Sequence, residues 1–232
     1  MKKYLLQFWP IYLTAILTVL IITVSGSRAV TTISENRPIK RGVTFILDAG
    51  HGGEDGGATS CTGALESQIN LQIALRLDDL LHLLGYDTVM IRKTDISVYT
   101  EGNSIAQKKI SDLKERVRIV NNSDNAILVS IHQNFFADGR YSGAQVFYND
   151  IPGAKEIALS MQNSIVKHLN SGSNRQCKLS TGIYLMEHIQ CPGLLIECGF
   201  LSNPEEEAKL RNEDYQKKLC CVISCNLAEA VN

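Results

Sequence analysis

Short apolar runs alternate with helix-like segments along this chain, and that alternation restricts the fold more than any other feature. The run "VTFILDA" (43–49) is continuous, apolar and rich in strand-forming residues, which is typical of a buried strand. From Glu66 onward apolar residues recur every three or four positions, so an amphipathic helix is expected there, ending at Gly85. A second strand, "YDTVMIR" (86–92), follows. Strands that alternate with helices predict an α/β fold, in which helices flank a central sheet that is mostly parallel or mixed.

The alternation continues to the C-terminal end of the chain. Further helices are expected over about 111–122, 154–169 and 214–230, and further strands at 126–131 and 144–148. Two more apolar runs, at 182–187 and 193–199, follow in the manner of strands. Asn203, placed before Pro204 and three acidic residues, predicts one more helix start. No internal repeat or second boundary is evident, so residues 42–232 are expected to form a single domain.

The first thirty residues differ from the rest in composition. After Lys2 and Lys3 comes a stretch of about twenty mostly apolar residues without a charge, long enough to cross a bilayer as a hydrophobic helix. The basic flank predicts that the N-terminus stays inside and the remainder is exported. Residues 1–30 are therefore interpreted as a membrane anchor or as a signal segment cleaved near 27–29. Residues 31–41 are polar and contain proline, which indicates a tether.

Charge and cysteine content exclude some classes of protein. Residues 31–232 carry 20 basic and 24 acidic side chains, a balance that argues against a nucleic-acid partner. The seven cysteines form no CxxC pair, so a structural zinc knuckle is not expected. Their odd number leaves at least one thiol unpaired. Cys220, Cys221 and Cys225 fall in the last predicted helix, where we expect buried free thiols.

Polar residues mark the ends of three predicted strands. "FILDAGH" ends at His51, "LVSIHQN" contains His132, and "LLIECGF" contains Glu197. Because sites in α/β sheets form where the carboxyl ends of strands meet, these side chains are expected to converge. Glu66 is a fourth candidate, because it opens the helix after a loop with five glycines that lets the chain turn back. Two imidazoles and one carboxylate are typical ligands of catalytic zinc, and a further carboxylate can take a proton from water.

Each of these residues also has a purely structural explanation. A lone histidine after a strand is more often hydrogen-bonded than metal-bound, and an acidic residue at a helix start is favoured by the helix dipole. Glu197 is harder to explain in this way, because an unpaired carboxylate within an apolar strand is costly. The remaining histidines, at positions 82, 168 and 188, are not assigned to a metal. Glu54 and Asp55 are expected to form a solvated loop, with a contribution to substrate binding as the alternative. Arg116 and Arg118 are expected to form salt bridges.

Several blocks of the chain together resemble a known enzyme family. "LDAGHGGEDGGA", "GYDTVMIRKTD", "ERVRIVNNSDNAILVSIHQN" and "PGLLIECGFLSNPEEEAKL" are similar, in order and spacing, to the signature blocks of zinc-dependent N-acetylmuramoyl-L-alanine amidases. The resemblance covers roughly residues 43–231 and implies a zinc amidase or exopeptidase-like fold. It also implies one zinc ion per chain, a peptidoglycan substrate and cleavage between N-acetylmuramic acid and L-alanine. The small layout of anchor plus catalytic domain resembles the germination-specific branch, which acts in spore cortex formation.

The resemblance assigns roles to the four candidate residues. The zinc ligands fall on His51, Glu66 and His132, and the general base falls on Glu197. The implied location is the extracytoplasmic face of the membrane or, for a cortex enzyme, the space between the mother-cell and forespore membranes. An accessory or activating protein is a further expected partner, whose role would be to hold zinc or open the site.

Two features depart from the family pattern. Gln133 stands where relatives commonly have a small residue, which suggests an altered metal rim. The segment "QNFFADGRYSG" (133–143) is short and lacks the inserted helix that blocks the site in some relatives. Two alternatives remain at this point: a zinc carboxypeptidase-like peptidase, which uses the same ligand logic, and a non-catalytic wall-binding protein of the same fold.

Overall fold

The protein alternates strands and helices throughout the part of the chain that its structure, a computed structural model, describes, namely residues 42–231. The expected anchor or signal (1–30) and tether (31–41) lie outside these residues. The elements are β1 (Thr44–Ala49), α1 (Glu66–Leu83), β2 (Asp87–Met90), α2 (Ile105–Asn121), β3 (Ala126–Asn134), β4 (Gln145–Tyr148), α3 (Ala154–His168), β5 (Lys178–Leu179), α4 (Tyr184–His188), β6 (Gly193–Phe200), α5 (Pro204–Leu210) and α6 (Glu213–Ala230). Within the described range, no helix has both the length and the apolar character needed to cross a bilayer.

The strands form one mixed sheet in the order β2-β1-β3-β6-β4-β5. Strands β2, β1, β3 and β6 run parallel, whereas β4 is antiparallel to β6 and parallel to β5. The carboxyl ends of β1, β3 and β6 therefore lie side by side, and the register places His132 directly opposite Glu197. This arrangement confirms the expected α/β sheet flanked by helices.

The two faces of the sheet are buried by different helices. On the first face, apolar residues of β1, β3 and β6 pack against α1, α3 and α6 to form the larger core. On the second face, a smaller apolar cluster packs against α2 and α4. Because side chains alternate along a strand, Leu47 and Ile131 point to the first face, whereas Ile46, Leu128 and Leu195 point to the second.

Most predicted element boundaries lie close to those of the structure, β5 was not predicted, and the clearest differences concern α2 and the run at 182–187. Helix α2 begins at Ile105 rather than 111, because Ser104 and Gln107 form a capping box that starts it earlier. The run at 182–187 was expected to behave as a strand, but Tyr184–His188 is a short helix. The two edges of β6 are paired with β3 and β4, which leaves no place beside it for another strand. The segment instead covers the second face of the sheet and contributes Leu185 and Met186 to the apolar cluster there.

All seven cysteines are free thiols. Cys220 is buried as expected, but Cys221 and Cys225 are exposed, so the expectation that they are buried is wrong. Helix α6 packs only one of its faces against the sheet and its neighbouring helices, and the two exposed thiols lie outside that face.

Candidate metal centre

The loop after β1 presents His51 from a firmly held backbone. Two buried arginines bind its carbonyl oxygens: Arg92 donates from Nε to Ala49 at 2.8 Å and from Nη2 to Gly50 at 3.1 Å. Arg116 donates to the Ala49 carbonyl at 3.1 Å and to the His51 carbonyl at 2.8 Å. His51 itself takes the left-handed conformation, with φ of 62°. The side chain is therefore presented by a constrained turn and not by a freely flexible loop.

The glycines of this loop make room for the site. A Cβ atom added at Gly50 would lie 2.2 Å from the His132 ring. One added at Gly57 would lie 2.6 Å from the Glu66 carboxylate and 2.7 Å from His51. All three distances are shorter than any tolerable contact, so close packing of the three side chains requires glycine at these two positions.

Glu66 joins the two histidines. It is the first residue of α1, and its side chain is 5% exposed. Its Oε1 lies 3.0 Å from His132 Nδ1, and its Oε2 lies 3.3 Å from His51 Nε2. One candidate ligand atom from each of the three residues lies within 4.8 Å of the others. Two imidazoles and one carboxylate at this spacing can hold a metal ion, and the donor set suits zinc.

The carboxylate of Glu66 is held in its charged form. Burial alone would raise the pKa of Glu66, but hydrogen bonds and charge from His132 and His51 hold that pKa far below its ordinary value. Backbone N–H groups of Ala58 and Gln133 also donate to the two oxygens, at 3.0 Å and 3.1 Å. Burial would lower the pKa of His51, yet Glu66 and then Asp55 raise it above its ordinary value. The cluster therefore already favours positive charge beside Glu66.

Asp55 orients His51, a role that the sequence analysis did not assign. Its Oδ2 lies 3.0 Å from His51 Nδ1 and 3.1 Å from Lys109 Nζ. The side chain is 32% exposed, so the expectation of a solvated loop residue is only partly right. Binding at Nδ1 leaves Nε2 directed at Glu66, which is the outer-shell arrangement common around metal-ligating histidines. The sequence feature that indicates this contact is the i, i+4 spacing of His51 and Asp55 in one glycine-rich turn.

Glu197 lies beside the cluster without a partner for one of its oxygens. It stands opposite His132 on the neighbouring strand, on the second face of the sheet. Among the described residues, its Oε2 is buried and has no hydrogen-bond partner. Burial raises the pKa of Glu197 above its ordinary value, with Glu66 adding to the rise and His132 and His51 opposing it. An unpaired carboxylate next to a candidate metal site is suited to accept and return a proton.

A cavity of about 260 Å³ connects Glu197 to the histidines. His51, His132 and Glu197 line its polar side, and Ile183, Leu185 and Leu195 line its apolar side. A much larger cleft of about 910 Å³ lies around residues 139–143, 169–173 and 203–209, and it contains none of the four candidate residues. The smaller cavity is therefore the candidate site.

A buried ion pair forms the floor of this cavity. Arg116 pairs with Asp48 and, through Nε, with Asp112 at 2.6 Å, which confirms the expected salt bridging. The Ser130 hydroxyl donates to Asp48 at 2.6 Å. Burial opposes ionisation of Asp48, but Arg116, His132 and Ser130 hold the pKa of this carboxyl below its ordinary value. The floor is thus charged, paired and rigid.

The two departures from the family pattern have structural outcomes. The Gln133 side chain is 3% exposed and donates to Asn70 Oδ1 at 3.1 Å, so it lies beneath the metal rim and not on it. Between β3 and β4 the described chain has no helix. Phe135, Phe136 and Tyr141 in this segment are each about half exposed. His82, His168 and His188 lie outside the metal cluster, as expected.

Comparison with known proteins identifies the family of this chain. The family model described as N-acetylmuramoyl-L-alanine amidase matches residues 45–227. The germination-specific N-acetylmuramoyl-L-alanine amidase of Bacillus subtilis (strain 168) is 38% identical over 184 residues, which are 78% of this chain and 77% of that protein.

Two solved structures are similar over the same region. The CwlD amidase from Clostridioides difficile, solved in complex with the GerS lipoprotein, has a TM-score of 0.77 and 39% identity, covering 81% of this chain and 97% of that one. An N-acetylmuramoyl-L-alanine amidase from Clostridium difficile 630 has a TM-score of 0.71 and 32% identity, covering 82% and 97%. The mixed sheet, the site at its carboxyl edge and these matches lead to one conclusion: the chain belongs to the N-acetylmuramoyl-L-alanine amidase family of peptidoglycan hydrolases.

Proposed function

We propose that this protein cleaves the amide bond between N-acetylmuramic acid and L-alanine with one zinc ion held by His51, Glu66 and His132. The observation that supports this most is the convergence of those three side chains, with ligand atoms within 4.8 Å, next to the unpartnered Oε2 of Glu197. Three protein ligands leave a position open for water or substrate, as in catalytic zinc sites. When bound, zinc would polarise the scissile carbonyl and make a nearby water more acidic.

Glu197 moves the proton in this reaction. Its Oε2 accepts a proton from the attacking water, whose oxygen then bonds to the lactoyl carbonyl carbon. Oε2 of Glu197 then delivers that proton to the L-alanine nitrogen as the carbon–nitrogen bond breaks. The products are the lactoyl carboxylic acid of the muramic acid and a stem peptide with a free amine.

Other residues prepare the site for this step. Asp55 keeps the Nε2 atom of His51 facing Glu66, and the buried Arg116 holds the His51 carbonyl at 2.8 Å. The apolar wall formed by Ile183, Leu185 and Leu195 limits water around Glu197 and favours its protonated form between the two proton transfers.

We further infer that the enzyme acts outside the cytoplasm on spore cortex peptidoglycan. Residues 1–30 would export the domain and either anchor it or be cleaved, and residues 31–41 would tether it. The similarity to the germination-specific amidase of Bacillus subtilis supports the cortex as substrate. The similarity to an amidase solved in complex with a lipoprotein supports an accessory partner, whose role here would be to hold zinc or open the site.

Mass spectrometry of digested peptidoglycan tests the reaction. Purified protein loaded with zinc should release stem peptides whose new N-terminus is L-alanine. It should release more of them from cortex than from vegetative wall. Release of a C-terminal amino acid would instead identify a carboxypeptidase. Protein that holds zinc stoichiometrically and binds wall, but cleaves no bond even with its accessory protein, would identify a non-catalytic binding protein.

A further inference from the structure

A buried chain of amides reaches the Glu66 carboxylate from below. Asn70 lies one turn after Glu66 on α1, is 0% exposed, and donates from Nδ2 to Glu66 Oε1 at 3.3 Å. The same Nδ2 donates to the Gly50 carbonyl at 3.2 Å, which ties α1 to the loop of His51. Gln133 in turn donates from Nε2 to Asn70 Oδ1 at 3.1 Å. The side chain of Gln133 thus contacts the candidate ligand through Asn70.

These contacts fix the orientation of both amides. Asn70 must direct its nitrogen towards Glu66 and Gly50, because both partners are acceptors. Its oxygen therefore needs a donor on the other side, and Gln133 supplies one. If Asn70 turned over, its oxygen would face the Glu66 carboxylate and the Gly50 carbonyl, which would repel it. Gln133 adds to this preference, because its Nε2 would lose its acceptor if Asn70 reversed.

Gln133 is energetically unfavourable at the buried position it occupies. It points to the first face of the sheet, where its side chain contacts the buried Cys198 of β6. Within the described structure, its Oε1 is buried and has no hydrogen-bond partner. A buried amide with one bond unmade is less favourable than an apolar side chain of the same size. Packing alone does not explain a glutamine here, whereas a fixed Asn70 does.

We propose that Gln133 is a positioning residue for the metal site, acting through Asn70 to hold Glu66 in its ligating orientation. The proposal rests on the zinc site proposed above and adds to it a residue that contacts neither metal nor substrate. Its backbone N–H also donates to Glu66 Oε1 at 3.1 Å, so this residue supports the carboxylate from two directions. Loss of such outer-shell contacts typically weakens metal binding by about 10- to 100-fold.

Zinc affinity of the full-length protein tests the proposal. Gln133→Met keeps the volume of the side chain and removes its donor, and Asn70→Leu removes the next link. We expect competition with a zinc-binding dye to show about 10-fold weaker binding for each variant. The double variant should bind zinc about as tightly as the weaker-binding single variant, because both changes break one connected network. Thermal unfolding of the zinc-free protein should show only a small change for Gln133→Met, because the variant removes the unpartnered Oε1 but leaves Asn70 Oδ1 without its donor.

Gln162→Met is the matched control. Gln162 is equally buried, but it donates to the Ala144 carbonyl and accepts from the Val146 N–H, away from the metal cluster. This variant should lose thermal stability and keep its zinc affinity, the opposite pattern to Gln133→Met.

Three results would overturn the proposal. The first is zinc affinity of Gln133→Met within twofold of the unaltered protein; if that variant does not fold, Asn70→Leu is judged by the same limit. The second is an equal loss of affinity in Gln162→Met, since any buried amide would then have the same effect. The third is failure of the unaltered protein to bind zinc. That result would overturn both the proposed metal site and this inference, and it would be seen without any variant.

Discussion

The two faces of the central sheet are built from the same three strands but serve different purposes. On the first face, β1, β3 and β6 contribute apolar side chains over most of their length, with Gln133 near the end of β3 as a polar exception, and α1, α3 and α6 cover them. On the second face, the same strands carry Ile46, Leu128 and Gly193 side by side, before the site residues. They end with polar groups towards their carboxyl ends: Asp48 on β1, Ser130 and His132 on β3, and Glu197 on β6.

This difference shows where the protein gives up stability for chemistry. The first face gains free energy from burial and needs only shape and apolarity. The second face buries charges, and each one must be compensated or it is costly. Asp48 is compensated by Arg116, whereas Oε2 of Glu197 has no hydrogen-bond partner among the described residues. The uncompensated group is the one to which we assign proton transfer.

The largest expected effect comes from replacing Glu197 by glutamine. Losing a general base typically lowers turnover by about 10²- to 10⁴-fold. Zinc content should be unchanged because Glu197 is not an assigned ligand, and thermal stability should not fall because a desolvated carboxylate is removed. Release of muropeptides, zinc content and thermal unfolding measure the three outcomes. Near-normal turnover in this variant would disprove the proposed mechanism.

Glu206→Gln provides the matched control for that experiment. Glu206 is also buried, but its oxygens accept hydrogen bonds from the backbone N–H groups of Gly143 and Phe200, each at 2.9 Å. Replacing it should reduce stability and leave turnover per folded molecule unchanged. If both variants lost activity alike, the contrast between a compensated and an uncompensated carboxylate would not hold.

Breaking the ion pair at the floor of the cavity should have the next largest effect. Asp48→Asn leaves the buried Arg116 short of one charge, and disruption of a buried pair typically costs about 3–5 kcal/mol in the free energy of unfolding. Denaturant unfolding of the zinc-free protein measures the loss. A change below about 1 kcal/mol would mean that Asp112 alone suffices to balance Arg116.

The same variant predicts a pH dependence. The folded pKa of Asp48 is lowered from the model-peptide value of 3.8, so its stabilising effect is complete above that value and is lost as pH falls below it. The stability difference between the unaltered protein and Asp48→Asn should therefore be constant near neutral pH and shrink in acid. A difference that grew on acidification would contradict the assignment.

A smaller effect is expected at Asp55. Replacing it with asparagine removes the charge that orients His51 through Nδ1, and loss of such a contact typically weakens metal binding by about 10- to 100-fold. Zinc competition measures the affinity. Glu54→Gln is the control, since Glu54 in the same loop pairs with Lys108 and is not part of the cluster. Equal affinities for the two variants would assign Asp55 to the solvated surface.

The smallest effect is expected from a substitution on the first face of the sheet. Ile131→Val removes one buried methylene beside the site without touching a polar group, and it should cost about 0.5–1.5 kcal/mol of unfolding free energy. Zinc affinity should remain unchanged. Weaker zinc binding in this variant would mean that packing on the first face also sets the geometry of the second.

Local patterns were enough to predict much of the fold and the choice of site residues. Helix α1 follows from its apolar period and from Gly85, whose φ of 85° suits a helix end. The cap at Asn203 follows from its side chain and the proline after it. His51, His132 and Glu197 could be grouped because residues at the carboxyl ends of parallel strands share one edge of a sheet.

Contacts between distant parts of the chain could not be predicted in this way. Arg92 and Arg116 hold the same loop from different elements, and nothing in their local sequence indicates that loop carbonyls are their acceptors. The family pattern, with a small residue at position 133, suggests that Gln133 alters the metal rim. Successive residues of a strand point to opposite faces, however, so Gln133 lies beneath the rim.

The sequence by itself determined the α/β alternation, the position of the polar strand ends and the residue types that suit zinc, because these depend on spacing within one segment. Only the tertiary structure decided which atoms meet. It brought Glu66 from the start of α1 to both histidines, left the buried Oε2 of Glu197 without a hydrogen-bond partner among the described residues, and directed Gln133 to Asn70. The physical reason is that hydrogen bonds and charge compensation depend on distances of a few ångströms between segments, which the folding of the sheet sets and no local pattern records.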